Sequence, residues 1–236
     1  MTPRSPSDGE LLSFHLHNWL GAWPPRAAVD VVSSPRRDEP AWDGRISPLV
    51  GVGRPGHVVL SVSPQRAEAV RRVVGPLDDL VVQHAVVDAL GAGGSVLGRG
   101  VFRWSTAVTA ADVLPDVGEW VDADDPRIPR WLRPFNYGPV LVVWDAFGNY
   151  GAGVGIKRHD AVGHEIAVVT EERFRGRGLA KRLVAQAARR VLREGGLPTY
   201  LHGPDNAPSA RVADAVGFAD HGWSVYGLFG PDVNAG

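Results

Sequence analysis

Residues 165–180 read EIAVVTEERFRGRGLA, and the fold turns on this stretch. The apolar run Ile166–Val169 predicts a buried strand, and its polar end passes into a short loop rich in Gly and Arg. That loop opens directly onto a long amphipathic segment. A strand, a loop of exposed backbone N–H groups and a helix start together make an anion site. The first N–H groups of a helix have no internal acceptor and carry the positive end of its dipole. Gly176 and Gly178 let the main chain approach a ligand with no Cβ in the way, and Arg173, Arg175 and Arg177 add full charge. The stretch is a candidate diphosphate cradle.

The segments around it set the topology. Upstream, residues 139–145, 151–158 and 163–170 are three strand candidates joined by short loops, which predicts an antiparallel meander. Downstream, residues 179–194 form the clearest helix of the chain. Its stripe is Leu179, Leu183, Val184, Ala187, Val191 and Leu192, with Lys181, Arg182, Arg189, Arg190 and Arg193 facing out. Gly195-Gly196 closes it, LPTYLH supplies the next strand, and Asp205 or Asn206 caps a shorter helix ending at Gly217. A final extended segment runs from Phe218 to Phe229. The strands either side of the long helix must be parallel, because a crossover helix connects parallel neighbours. A ligand is then expected at the carboxyl end of a central strand.

The first half is less telling. A short helix is expected within residues 9–23, strands at 28–33 and 57–63 with a Pro/Gly-rich irregular stretch between, and a helix from Pro64 to Val74. Residues 79–90 read as a helix or a strand, closed by Gly91–Gly94, and residues 96–108 as a strand. Asp122–Pro126, acidic and rich in breakers, is the candidate linker, followed by an aromatic loop with Trp131, Phe135 and Tyr137. That loop reads as a core plug between the halves, or as a lining of an acceptor side.

Composition excludes several classes. The chain has 236 residues, a formal net charge of −1 and no Cys. Near-neutrality argues against nucleic-acid binding, which needs a basic field. Without Cys there is no disulfide framework, thiolate nucleophile or Cys-based zinc site. His15 and His17, two apart on a helix, point to different faces. His57, His84, His159, His164, His202 and His221 lack metal-ligand spacing, so no metal site is expected. Residues 1–9 lack the apolar core of a signal peptide, and no run approaches the roughly 20 apolar residues that span a bilayer. A soluble, cytoplasmic protein is expected, with no membrane partner. Gly151-Ala152-Gly153-Val154-Gly155 does not match G-x-G-x-x-G and opens no helix. No G-x-x-x-x-G-K-[ST] loop or G-x-S-x-G elbow occurs.

Arg175-Gly176-Arg177-Gly178-Leu179-Ala180 fits R-x-x-G-x-[GA] between a strand and a helix. About one helix and one strand downstream stand Asn206-Ala207-Pro208-Ser209 and then Val216-Gly217-Phe218. With this set the chain resembles the GNAT superfamily of acyl-CoA-dependent N-acyltransferases. The closest likeness is to the zwittermicin-resistance type, through Glu165–Ala180, Gly196-Leu197-Pro198, Asn206–Ser209, Ala213–Phe218 and Tyr226. The resemblance covers about residues 139–229. It implies an α/β (α+β) fold of GNAT type, with a mixed, mostly antiparallel central sheet flanked by helices. Residues 126–236 would form the acyl-CoA-binding catalytic domain. Residues 1–125 would form an N-terminal α/β half that shapes the acceptor pocket or is a degenerate copy of the fold.

The resemblance also implies roles. Arg175, Gly176, Arg177, Gly178, Leu179 and Ala180 would hold the CoA pyrophosphate. Val168, Val169 and Thr170 would lie beside the pantetheine arm, on a strand that splays from its neighbour. Asn206 and Ser209 would face the pantetheine or the thioester sulfur. Amide formation needs a base for the amine and an acid for the thiolate. Glu165 is the candidate base, its bland alternative an outward strand carboxylate. The Tyr that many GNATs carry on the helix after the Asn is replaced by Ala213, so Tyr226 or Ser209 is the candidate acid. The expected activity is acetyl transfer from acetyl-CoA to a small primary amine by direct attack in a ternary complex, without metal; a homodimer is compatible with it. Two rivals stand beside it: a catalytically silent module that binds acyl-CoA as ligand or regulator, and a structural partner domain that uses no cofactor.

Overall fold

The structure is a computed structural model and describes residues 8–230. Most of the stretch read as lacking a signal peptide, residues 1–7, lies outside the described residues. The fold is mixed α/β, a mostly antiparallel sheet flanked by helices. Among the described residues the chain divides into two compact units, residues 12–102 with 222–230, and residues 8–11 with 103–221.

In the unit built on residues 12–102, the strands are β1 (Val29–Ser33), β2 (Leu49–Arg54), β3 (His57–Val62), β4 (Val96–Trp104, to Phe102 in this unit) and β10 (Ser224–Phe229). β1 pairs parallel to β3, β3 antiparallel to β2, β2 antiparallel to β10, and β10 antiparallel to β4. Helices α1 (Asp8–Leu20), α2 (Pro64–Val73) and α3 (Leu80–Leu90) accompany them. The residues after 79 are thus helical. Asp79 Oδ1 accepts from the Val81 N–H at 2.8 Å and Gly91, at φ 69°, ends the helix. The stretch between β1 and β3, expected to be irregular, contains β2. Its VGVG core hides the alternation because glycine replaces the side chains on one face. Gly51 lies opposite Leu60, and a Cβ there would sit 2.8 Å from the Leu60 side chain.

The other unit carries the meander. Its strands are β5 (Glu119–Val121), β6 (Val140–Trp144), β7 (Tyr150–Arg158), β8 (Gly163–Thr170) and β9 (Leu197–His202), with helices α4 (Leu179–Arg193) and α5 (Ala207–Val216). β5 to β8 run antiparallel in sequence order. β8 and β9, joined through α4, are parallel, as the crossover demands. Leu183, Val184, Ala187 and Val191 of α4 are fully buried with Ala152, Val154 and Ile156 of β7. Residues 122–126, read as a linker, are a tight turn inside this unit: Asp122 and Asp125 accept from the N–H groups of Asp124 and Arg127 at 2.9 Å each.

The glycine run of β7 has a packing reason. Ala152, Val154 and Ile156 face α4, whereas Gly151, Gly153 and Gly155 face Phe174, Leu132 and Phe135. A Cβ at Gly155 would lie 2.3 Å from the Phe135 ring. The aromatic loop therefore plugs the core of its own unit. Arg189, expected to face out, is only 14% exposed in its side chain and binds the carbonyls of Thr109 and Leu114 and the carboxylate of Asp116.

Candidate active site

The cleft follows from where β8 and β9 part. Their ladder is confined to Gly163↔Leu197, His164↔Pro198 and Glu165↔Thr199, while on its other edge β8 pairs with β7 from His164 to Thr170. Beyond Glu165 the edge of β8 towards β9 makes no ladder pair, and its peptide groups need other partners. A cleft of about 640 Å³ opens there, a volume typical of ligand sites. Val168, Val169 and Thr170 form one wall. Tyr200 and the face of α5 carrying Pro208, Ser209, Arg211, Val212 and Ala215 form the other, and Arg175, Gly176 and Gly178–Lys181 close the end.

The cradle loop is held from beneath. Glu172–Phe174 makes one 3-10 turn that buries Phe174 against Gly151. The guanidinium groups of Arg173 and Arg177 lie 4.8 and 5.0 Å from the Phe174 ring centre. Gly176 and Gly178 have φ of 76° and 72°, the left-handed region that glycine adopts without strain. Gly178 caps α4 with no side chain, so the first N–H groups of the helix rely on an outside acceptor. Nothing lies within 4 Å of where a Gly176 Cβ would be, so the loop faces open space.

The charge is one-sided. Arg175, Lys181 and Arg211 line the cleft and no Asp or Glu does. Thr170 Oγ1 is buried without a hydrogen-bond partner in the wall of this cleft; a ligand amide or phosphate would satisfy it. On the far wall Asn206 Oδ1 accepts from the Ser209 N–H at 3.0 Å, capping α5, and Ser209 Oγ lies 2.8 Å from the Tyr200 hydroxyl. These features fit an extended, phosphorylated ligand.

The residues singled out by sequence divide accordingly. Val168, Val169, Thr170, Arg175, Gly176, Gly178, Leu179, Ala180, Asn206 and Ser209 converge on the cleft. Arg177 is not part of its lining; its guanidinium stacks on Phe174 and donates to the Arg173 carbonyl at 3.2 Å. Glu165 is buried outside the lining, with Lys157 Nζ at 2.5 Å and His159 Nε2 at 2.8 Å. Burial by itself would raise its pKa, but the Lys157 ammonium and His159 outweigh that and hold it at about 2. Tyr226 packs in the core of the unit built on residues 12–102, paired to Gly51 and Arg99.

Sequence reasoning missed Tyr200, Lys181, Arg211 and Val212. The helical spacing of Pro208, Arg211, Val212 and Ala215 would have placed the last two on the face that Asn206 opens. Tyr200 carried no signal, since on a strand it reads as core. Among the described residues no helix is long and apolar enough to cross a membrane, and no group of three or more His, Cys, Asp or Glu is placed to hold a metal.

The family model described as FR47-like protein matches residues 152–226, under half of the chain. No curated protein matches. Among solved structures, a GCN5-related N-acetyltransferase-like protein from Streptococcus suis is similar at 16% identity over 72% of this chain and 78% of that one, with a TM-score of 0.48. An acetyltransferase from the GNAT family from Colwellia psychrerythraea is similar at 13% identity over 62% of this chain and 60% of that one, with a TM-score of 0.43.

Proposed function

We propose that this chain is an acyl-CoA-dependent N-acyltransferase that moves an acetyl group to a primary amine of a small molecule. The observation that carries the reading is the cleft itself: a parted strand pair ending in a glycine cradle, at the start of a helix, lined by three cations and no carboxylate. A thioester with a long amide-bearing arm and a diphosphate matches that sequence of groups, arm against the open edge of β8 and diphosphate on the cradle. The FR47-like match over residues 152–226 and the GNAT-family neighbours support it. The finer likeness to the zwittermicin-resistance type rests on the motifs alone.

Each residue then has a task. The N–H groups of Gly176 through Ala180 and the Arg175 side chain bind the diphosphate, through charge-assisted hydrogen bonds of about 1.5–3 kcal/mol each. Main-chain groups of Val168–Thr170 orient the arm, and Asn206 sets the first turn of α5 and with it Ser209. The amine attacks the thioester carbonyl directly, in a ternary complex. Glu165, ionised and engaged by Lys157 and His159, is too weak a base for this at neutral pH; it braces β7 to β8, and the amine proton leaves through solvent. Tyr226 has no part in the reaction on this reading.

A second reading has an observation behind it. Glu165 is committed to Lys157 and His159, and Ala213 offers no proton on α5, which suits a silent module that binds acyl-CoA without turnover. Calorimetry with acetyl-CoA tests the shared premise: binding is expected for the unaltered chain and its loss for an Arg175→Ala/Gly178→Asp variant. Equal affinity in both would sink the cofactor assignment. Thiol release from acetyl-CoA over a panel of small amines then separates enzyme from binder.

A further inference from the structure

The hydroxyl of Tyr200 is a polar feature of the cleft wall that the sequence reading did not foresee. Tyr200 stands on β9, 2% exposed, its ring 5.7 Å from that of Phe218 and 6.4 Å from that of His202. Both Tyr200 and Ser209 line the cleft, and their oxygens are 2.8 Å apart. Two hydroxyls bring two protons, of which their mutual bond uses one. If Tyr200 donates to Ser209, the Ser209 proton is left to point at a third atom. Ser209 is placed for this because the Asn206 cap fixes its main chain. Burial raises the Tyr200 pKa, with the Ser209 bond and the Arg103 charge opposing it in part. The phenol therefore keeps its proton at neutral pH and is a donor.

We propose that Tyr200 and Ser209 form a two-hydroxyl relay that presents a hydrogen-bond donor to the sulfur as it leaves the acyl group. This rests on the acyl-CoA reading of the cleft. Ser209 is the catalytic residue, and Tyr200, acting through it, is a positioning residue that polarises its O–H. In the step the carbonyl carbon gains a bond to nitrogen and loses its bond to sulfur, whose electron pair stays on sulfur. Sulfur takes the Ser209 proton and Ser209 takes that of Tyr200. The nitrogen sheds a proton to solvent on becoming an amide, and the phenolate recovers one from solvent. One proton leaves nitrogen and one arrives on sulfur, so the step balances. The relay does from β9 what Ala213, buried on α5 with no polar atom in its side chain, cannot do.

The test uses the full chain with Tyr200→Phe, Ser209→Ala and both changes. CoA affinity is read by calorimetry, kcat and KM by thiol release, and the pKa of the bound CoA thiol by the ultraviolet absorbance of its thiolate. The expected result for Tyr200→Phe is a kcat lowered roughly ten- to a hundredfold, CoA affinity within about twofold of the original and a bound thiol that titrates at higher pH. Ser209→Ala should behave alike, and the double variant should be no worse than Ser209→Ala, since one relay is broken once. Ser209→Ala leaves the buried ring in place, so the test stands should Tyr200→Phe fail to fold. An unchanged thiol pKa and kcat, or a loss of CoA affinity alone, overturns the relay while leaving the cleft assignment intact. Failure of the unaltered chain to bind CoA overturns both.

Discussion

Glu165 shows how one carboxylate can be committed to structure. It faces Lys157 directly across the β7–β8 ladder and meets His159 just past the end of β7, so both its oxygens are satisfied. Removing one partner of a buried ion pair costs more than never having built it, because the other charge is left without compensation. Glu165→Gln is expected to lower stability by about 3 kcal/mol, measured by denaturant unfolding, while CoA affinity stays unchanged. The pH dependence has a definite sign. The folded pKa of about 2 lies below the ordinary value of 4.5, so the ionised pair stabilises the fold fully above that ordinary value. Its contribution is lost as the pH falls from there towards the folded value. The Gln variant should therefore show a flatter fall in stability with acid than the unaltered chain over that window. An identical acid profile in both would remove the bracing role.

At the scale of elements, the spacing of glycines decides what β7 can hold. Gly151, Gly153 and Gly155 were legible as part of a strand and as a failed nucleotide motif, but not for what they accommodate, because composition cannot say what lies above a strand face. The structure supplies the answer in Phe174, Leu132 and Phe135 seated on the bare backbone. Gly155→Ala is expected to destabilise by about 1–3 kcal/mol through overpacking against Phe135, read as a lower midpoint in thermal unfolding. A second change, Phe135→Leu, should recover part of the loss; no recovery would mean that the glycine serves something other than ring packing. The cradle and α5 were read correctly as elements, since strand, glycine loop, Asn cap and closing glycine are all local signals. β2 and β5 were not foreseen. One hides its alternation behind Gly51 and Gly53, and the other has only three residues, Glu119–Val121, too few for any periodicity.

For the molecule as a whole, the balance of charge hides the cleft. A net charge of −1 averages over a site whose charged lining residues, Arg175, Lys181 and Arg211, are all cationic. A polyanion should thus bind with affinity that falls as salt is raised, because exposed charges are screened over about 8–10 Å at physiological ionic strength. Acetyl-CoA at a hundred times its dissociation constant should raise stability by about 2.7 kcal/mol, visible as a thermal shift that shrinks between low and high salt. A shift equal at both ionic strengths would argue that the cations are not in contact with the ligand's phosphates.

The sequence by itself determined the parts governed by local physics: the order strand, glycine loop, helix, strand, helix, and the parallel pair either side of α4. Each follows from neighbours in the chain, through periodicity, capping and the freedom of glycine. Only the tertiary structure decided which side chains share the cleft. It brought Tyr200 within 2.8 Å of Ser209, set Lys181 and Arg211 on the cleft lining with Arg175, turned Arg177 onto Phe174, and drew Glu165 to Lys157 and His159. Tyr226, on the last strand, went to the core with Leu60 and Leu97. These are contacts between residues far apart in space until the strands pair, and they are settled by register and packing, which no local pattern encodes.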